Sequence, residues 1–129
     1  MAMWPFSRRK APKVESVPIA AATSDPEDFT VLTVGQSRLT DSFIAINFGS
    51  DSQPRFNQGT IHPLVDPRMK TVADIEVRVE THVVGYLRPP ALNTAIELLE
   101  RHRASSLEVP VMIFSTPAGP EVRVHSSLG

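Results

Sequence analysis

The chain contains no cysteine, which excludes disulfides, thiolate zinc sites and cysteine nucleophiles. Long apolar runs are missing as well. The longest run near the N-terminus, residues 17–22, contains Pro18 and is far shorter than a signal-peptide core or a membrane span. Neither sign of charge predominates, because 13 basic and 14 acidic side chains give a formal net charge of −1. Non-specific duplex binding requires a basic footprint, so we do not expect that activity. The short apolar runs and the lack of cysteine predict a soluble, cytoplasmic protein.

Recognisable catalytic and metal-binding motifs are absent from the sequence. The four histidines, at positions 62, 82, 102 and 125, have none of the close spacings that are typical of zinc ligands. No serine lies in a nucleophile-elbow motif, and no glycine-rich phosphate loop is present. His102 closes an apolar helical stripe near a helix C-terminus, where the dipole favours a cation, so its expected role is structural. We therefore predict a non-catalytic protein with no metal or other cofactor.

The chain has enough apolar residues for one domain. Hydrophobic residues make up 41% of it, and a folded part of about 100 residues can bury a core without disulfides. Residues 1–28 predict a disordered tail, because prolines interrupt them and their end is small, polar and acidic. Trp4, Phe6 and the basic residues 8–10 form a patch in this tail that could touch anionic lipid, an acidic partner or nucleic acid, but a solvated terminus is the favoured interpretation. Residues 29–129 are the predicted domain.

Six strands are predicted in this domain, from short β-branched runs such as residues 29–34 and from the alternation of apolar and charged residues at 75–79. They span residues 29–34, 61–65, 75–79, 83–87, 109–114 and 121–125. Residues 37–49 fit either a short helix or a buried strand, with the helix favoured, and residues 50–59 have the composition of a loop.

Prolines and turn residues locate these strands within a sheet. Pro63 and Pro110 have no amide hydrogen, so we expect their strands at or near a sheet edge. Residues 66–68 predict a turn, and Thr81 with His82 is the expected two-residue turn of a hairpin. A final hairpin is predicted around residues 116–120.

One clear amphipathic helix follows Arg88. Pro89 and Pro90 fit its first turn, where a missing amide hydrogen costs nothing. Its expected apolar stripe consists of Leu92, Ala95, Ile96, Leu99 and His102. Hairpins outnumber crossover connections in the whole pattern, which indicates an α+β or mainly β domain. We predict a small barrel-like, OB-like antiparallel sheet with this helix and a second short one.

The strand at 83–87 places Gly85 beside the only tyrosine of the chain, Tyr86. A glycine within a strand permits a bulge or the close approach of another backbone, so its expected role is structural. Tyr86 and Arg88 are two residues apart and are expected to point the same way, which suits a stacked base beside a cation. A rim tyrosine and an arginine whose stem packs on the helix explain the same pattern.

The segments 75–79, 83–87 and 109–111, together with the helix after Pro90, resemble the HIRAN domain family. The most specific match is Val-Gly-Tyr-Leu at residues 84–87, and weaker matches lie at residues 34–37 and 64–67. The resemblance covers residues 29–125. It implies a compact barrel related to OB folds, which in helicase-linked members binds the free 3′ end of single-stranded DNA.

The resemblance carries Tyr86 and Arg88 over as candidate nucleic-acid-binding residues, and Arg38 more weakly. The loop with which the family contacts the nucleotide is replaced here by residues 68–72. The aromatic pair of DNA-binding members corresponds to Arg38 and Leu39. Two functions therefore remain open: weak binding of single-stranded nucleic acid, or an adaptor domain that binds a protein partner and has lost the nucleic acid.

Overall fold

The computed structural model describes residues 14–34, 44 and 53–129. The described strands are β1 (Val14–Pro18), β2 (Val31–Val34), β3 (Arg55–Asp66), β4 (Thr71–Val79), β5 (His82–Leu87), β6 (Ala104–Thr116) and β7 (Gly119–Val124). Helix α1 spans Ala91–His102, and short 3₁₀ helices span Pro26–Asp28 and Ser126–Leu128. No helix of the described residues is long and apolar enough to cross a membrane.

Six antiparallel strands close on themselves to form a barrel. Their hydrogen-bonded order is β6, β3, β4, β5, β2 and β7, and β7 pairs with β6 to complete the ring. Strand β1 lies outside the ring and pairs in parallel with the beginning of β6. The predicted fold class, a small OB-like barrel with one clear helix, is confirmed.

Alternate residues of the strands fill the barrel with aliphatic side chains. Ile75, Val77 and Val79 of β4 are buried, as their alternation with charged residues predicts. The other buried aliphatic residues of the barrel strands are Ile61, Val84, Leu87, Leu107, Val109, Val111, Ile113, Val122 and Val124. Removal of these side chains from water is the main force that closes the sheet.

Helix α1 covers part of this core with Ala91, Ala95 and Leu99, which are buried at a spacing of four residues. It packs mainly against β6. The helix ends at Arg103, which adopts the left-handed conformation at φ 51° and turns the chain directly into β6. His102 is exposed, so the prediction that it closes the apolar stripe is wrong. His102 is the last residue of α1, directly before the chain turns into β6.

The N-terminal segment is more ordered than predicted. Strand β1 adds to the edge of β6 that β7 does not reach, where the Ser106 hydroxyl donates to the Glu15 carbonyl at 3.0 Å. The Ile19 amide donates to the Glu108 carbonyl, also at 3.0 Å. Residues 14–18 thus form a strand within the segment predicted as a disordered tail, because a free sheet edge supplies partners that composition does not reveal. Residues 1–13 lie outside the described residues.

Strand β6 is central, so the prediction that Pro110 lies at a sheet edge is wrong. One side of β6 pairs with β3, and the other side pairs first with β1 and then with β7. Pro110 stands where β1 gives way to β7, and its carbonyl accepts from the His125 amide at 3.0 Å. The missing amide hydrogen of the proline therefore falls at a junction between two neighbouring strands.

Strand β3 is longer than the strand predicted at residues 61–65. Residues 55–59, predicted as a loop, pair with β6, and Gly59 lies where a Cβ would come within 2.4 Å of a methyl carbon of Val111. Polar composition hid this strand, since one of its faces is open to solvent. Beyond Ile61 the described pairing of β3 is with β4 alone. Pro63 lies in that part, where β4 is its one neighbouring strand among the described residues.

The turn between β4 and β5 lies one residue earlier than predicted, and the turn between β3 and β4 lies where it is predicted. Val79 pairs with His82, so the turn consists of Glu80 and Thr81, with Glu80 at φ 59°. The predicted turn after Asp66 is confirmed: its carboxylate accepts from the Arg68 amide at 2.8 Å. Of the ambiguous segment 37–49, the structure describes Ile44 alone, which is helical and buried.

Candidate binding groove

A groove opens where β5 ends and α1 begins, against the start of β2. Its volume is about 350 Å³. The lining residues are Thr30, Val31, Leu32, Arg88, Pro89, Pro90, Ala91 and Gly129. We call this the Arg88 groove, because its one charged side chain belongs to Arg88.

The local sequence explains the shape of the groove. Two consecutive prolines, joined by a cis peptide bond, place ring carbons rather than amide groups on one wall. The first helical hydrogen bonds begin just behind them: the Leu92 amide donates to the Arg88 carbonyl at 3.0 Å and the Thr94 amide to the Pro90 carbonyl at 3.1 Å. The opposite wall is β2, which is held between β5 and β7. Both walls are therefore fixed by backbone pairing.

Arg88 is the electrostatic feature of this groove. It is exposed, and its guanidinium has no hydrogen-bond or ion-pair partner among the described residues. Arg78, Arg101 and Arg123, in contrast, each form an ion pair with a glutamate. An unpaired guanidinium presents a planar set of donors that matches a carboxylate or a phosphate.

The structure separates the predicted site residues. Tyr86 is half-buried on the outer face of the barrel, paired with Val34 of β2 on one side and Glu76 of β4 on the other. It does not line the Arg88 groove. Arg38 lies outside the described residues. Of the two candidates that the structure describes, Arg88 lines this groove and Tyr86 does not.

Tyr86 instead continues a polar row across the outer face of the barrel. His62 of β3 pairs with Glu76, which pairs with Tyr86. Glu76 is 6% exposed, and its Oε1 accepts from the Arg78 Nε at 2.7 Å and from the second guanidinium nitrogen of the same arginine. A buried carboxylate is thus neutralised by a neighbour on its own strand, so it is not a free acid for chemistry.

His62 is the remaining member of this row, and its pKa is lowered. Burial lowers its pKa below the usual 6.5, and the positive charge of Arg78 lowers the pKa further, while Glu76 opposes both effects. Its Nε2 lies 3.0 Å from the Thr60 hydroxyl oxygen. The neutral imidazole is therefore the favoured form here, as expected for a histidine that packs on a sheet beside a cation.

Gly85 has a structural role on the inner side of the same strands. A Cβ at this position would lie 2.5 Å from the Thr33 hydroxyl oxygen. The β4–β5 register also shifts here, since Val77 pairs with Gly85 but Arg78 pairs with Val83. Both a close approach and a bulge thus occur at Gly85, as its place in a strand indicates.

Metal chemistry and stacking find little support in the described part of the chain. It contains no group of three or more histidine, aspartate or glutamate side chains that could hold a metal ion. Its four aromatic residues are Phe29, Phe56, Tyr86 and Phe114, and none of these is exposed. Phe29 is packed against Phe56 and His125 in the interior. In residues 14–34, 44 and 53–129 the aromatic rings are therefore partly open at most, since Phe56, Tyr86 and Phe114 are half-buried and Phe29 is fully buried.

Sequence reasoning identified Arg88 but missed the groove around it. The missed residues are Val31 and Leu32 of β2 and Thr30 directly before that strand, all far from Arg88 in the sequence. A signal was available in the Pro89–Pro90 pair, since two prolines at the start of a helix leave an apolar surface without amide donors. The partner wall becomes known only when β2 is paired.

The chain matches no model of a known protein family, and no significantly similar curated protein or solved structure was found. The resemblance to the HIRAN family therefore stays a prediction that rests on residues 75–87 and the elements that follow. The OB-like barrel rests on the strand pairing alone.

Proposed function

We propose that this chain is a non-catalytic binding module whose ligand is an extended segment of a partner protein, held in the Arg88 groove. The observation that carries this proposal is the composition of the groove. One unpaired, exposed guanidinium stands among mostly apolar residues, next to walls that backbone pairing holds in place.

An acidic residue flanked by apolar residues is the peptide that fits this groove. Val31, Leu32 and the two proline rings favour aliphatic side chains, because burial of apolar surface is the general source of affinity. Arg88 then supplies the directional contact, since a guanidinium and a carboxylate form two parallel hydrogen bonds. The position of the cation within an apolar groove sets the register of the bound segment.

The burial of the aromatic residues favours a protein ligand over nucleic acid. Single-stranded nucleic acid binds mainly through bases stacked on open aromatic faces and through several cations along the backbone. Tyr86 is half-buried, and Phe114 is covered by the Arg123 guanidinium, 5.2 Å from its ring centroid. Among the groove-lining residues there is one cation, Arg88.

Single-stranded nucleic acid remains the second candidate, because Tyr86 and Arg88 are close in sequence. Tyr86 lies at the end of β5 and Arg88 directly follows that strand. A nucleotide end with its phosphate on Arg88 would place the preceding base towards Tyr86. This arrangement predicts binding that depends on both residues, whereas binding of the protein ligand depends on Arg88 and not on Tyr86.

A selection experiment tests the proposal. A phage-displayed library of random peptides is selected on the full chain and, in parallel, on Arg88→Ala. We expect enriched peptides with an acidic residue between apolar ones, and their binding to fall about tenfold or more on Arg88→Ala. Arg88→Ala should melt at the wild-type temperature, because the side chain has no partner in the described residues.

Arg55→Ala is the matched control, because Arg55 is an exposed arginine that does not line the groove. It should bind the selected peptides like the wild type. Selected peptides that bind Arg88→Ala equally well, or no enrichment at all, would show the proposal to be wrong. Anisotropy with a single-stranded oligonucleotide that has a free 3′ hydroxyl tests the second candidate. Binding lost in both Tyr86→Ala and Arg88→Ala would favour nucleic acid instead.

A further inference from the structure

The β3–β4 hairpin extends beyond the barrel. The described pairing of β3 with β6 stops at Ile61, and the described pairing of β4 with β5 begins at Glu76. In the outer part Leu64 pairs with Asp74 and Asp66 pairs with Thr71. We call residues 64–72 the arm. Among the described residues, its strands pair only with each other.

All the large hydrophobic side chains that are exposed in the described part of the chain lie on this arm. They are Leu64, 37% exposed, Val65, 56% exposed, and Met69, 69% exposed. Single exposed apolar residues scattered over a surface are ordinary, but a cluster of them marks a contact site. Their concentration within six residues of one hairpin indicates that the arm contacts another molecule.

Two cations lie within the same tip. Arg68 and Lys70 are exposed and have no ion-pair partner among the described residues. Two acids lie beside these cations: Asp66, whose carboxylate accepts hydrogen bonds from the Arg68 amide at 2.8 Å and the Met69 amide at 3.4 Å, and Asp74, the partner of Leu64, whose carboxylate accepts from the Ile75 amide at 2.8 Å. Both carboxylates bind backbone amides, so Arg68 and Lys70 are the charges that the turn itself presents. The partner is therefore both apolar and negatively charged.

The exposure of the turn, residues 67–71, decides between partners, whereas Val72 at the base of the arm packs against the core. Residues 67–71 are all exposed, together with Leu64 and Val65 before them. A protein partner buries one face of a hairpin, whereas a lipid layer surrounds a tip that enters it. We propose that the arm inserts its tip into the surface of an anionic lipid bilayer, with Val65 and Met69 among the acyl chains and Arg68 and Lys70 at the headgroups.

Vesicle binding by the full chain tests this proposal. Sedimentation is measured with vesicles of phosphatidylcholine alone and of phosphatidylcholine mixed with phosphatidylserine. We expect weak binding to the mixed vesicles that decreases as salt is added, because few charges and few apolar groups are involved. Arg68→Glu should reduce the partition coefficient by about fivefold or more, and Met69→Ser by about tenfold.

Arg55→Glu is the matched control for Arg68→Glu. It makes the same change of net charge on an exposed arginine at the opposite end of β3, and it should bind vesicles nearly like the wild type. Equal losses in the two charge variants, or no sedimentation with mixed vesicles at low salt, would overturn the proposal. Binding to a polyglutamate peptide without binding to vesicles would also overturn it, and would assign the arm to an acidic protein. Arg88 is not part of the arm, so this proposal and the proposed function fail independently.

Discussion

Thr33 of β2 fills the space that Gly85 of β5 leaves by having no side chain. A Cβ at Gly85 would lie 2.5 Å from the Thr33 hydroxyl oxygen and 2.8 Å from its Cβ. The same hydroxyl donates to the Val122 carbonyl of β7 at 3.4 Å. One threonine thus contacts the strands on both sides of β2, which holds one wall of the Arg88 groove in place.

Gly85→Val should destabilise the protein strongly, by about 3 kcal/mol or more, because the new side chain overlaps Thr33. Urea denaturation measures the loss in the free energy of unfolding. Gly85→Ala in a Thr33→Gly background should lose less than Gly85→Ala alone, since the smaller residue at position 33 makes room. Equal losses in the two backgrounds would show that space at Thr33 is not the reason for the glycine.

Two ion pairs on the outer face differ in the exposure of their glutamate side chain. The Arg78 and Arg123 side chains are 37% and 36% exposed, but their partners Glu76 and Glu121 are 9% and 33% exposed. Arg78→Ala should therefore cost more stability than Arg123→Ala, by about 1 kcal/mol, because it leaves the more buried carboxylate unpaired. Arg123→Ala also removes the contact of Arg123 with Phe114. This additional loss of stability makes the predicted difference between the two variants smaller, not larger. A larger loss in Arg123→Ala would contradict the prediction.

Stability should depend on pH through His62. Its pKa is lowered in the folded protein, chiefly by burial and then by Arg78, so the unfolded chain binds the proton more readily. The free energy of unfolding should therefore fall as the pH falls below about 6.5, the unfolded pKa, and this fall should end below the lowered folded pKa. His62→Gln should weaken this dependence, and His102→Gln, an exposed position on α1, should keep it. Urea titrations across this pH range provide the measurement.

Removal of β1 should cost stability, in contrast to what the composition of residues 1–28 predicts. A chain that begins at Asp28 lacks the parallel pairing with β6 and the burial of Val17 and Ile19 against the core. We expect it to unfold with about 2 kcal/mol less free energy than a chain that begins at Pro12, which keeps β1. Similar melting of the two chains would mean that β1 contributes nothing to the fold.

The elements predicted well from sequence are those whose signal is local. Ile75, Val77 and Val79 alternate with charged residues, and the sheet buries them as that period requires. Within the predicted helix, Glu97 and Arg101 lie one turn apart and form an ion pair, with 3.5 Å between Nη2 and Oε1. The helix begins at Ala91, directly after the two prolines that the sequence predicts in its first turn. Such patterns depend on chain geometry that is the same in any fold.

The elements predicted wrongly depend on neighbours that are distant in the sequence. Pro110 was assigned to an edge because of its missing amide hydrogen, yet it lies in a central strand at the junction of β1 and β7. Residues 55–59 have the composition of a loop and pair with β6 because the barrel has to close around its core. Neither outcome is encoded in the residues themselves.

The sequence alone determined that this chain forms a mainly β domain with one amphipathic helix, and that Gly85 is a position of close approach within a strand. Only the tertiary structure decided that, among the described residues, Arg88 lines the Arg88 groove and Tyr86 does not, since β2 supplies one wall and the pairing of Tyr86 with Glu76 and Val34 turns its ring onto the outer face. The physical reason is that hydrophobic periodicity fixes which side chains are buried, whereas strand pairing fixes which residues meet.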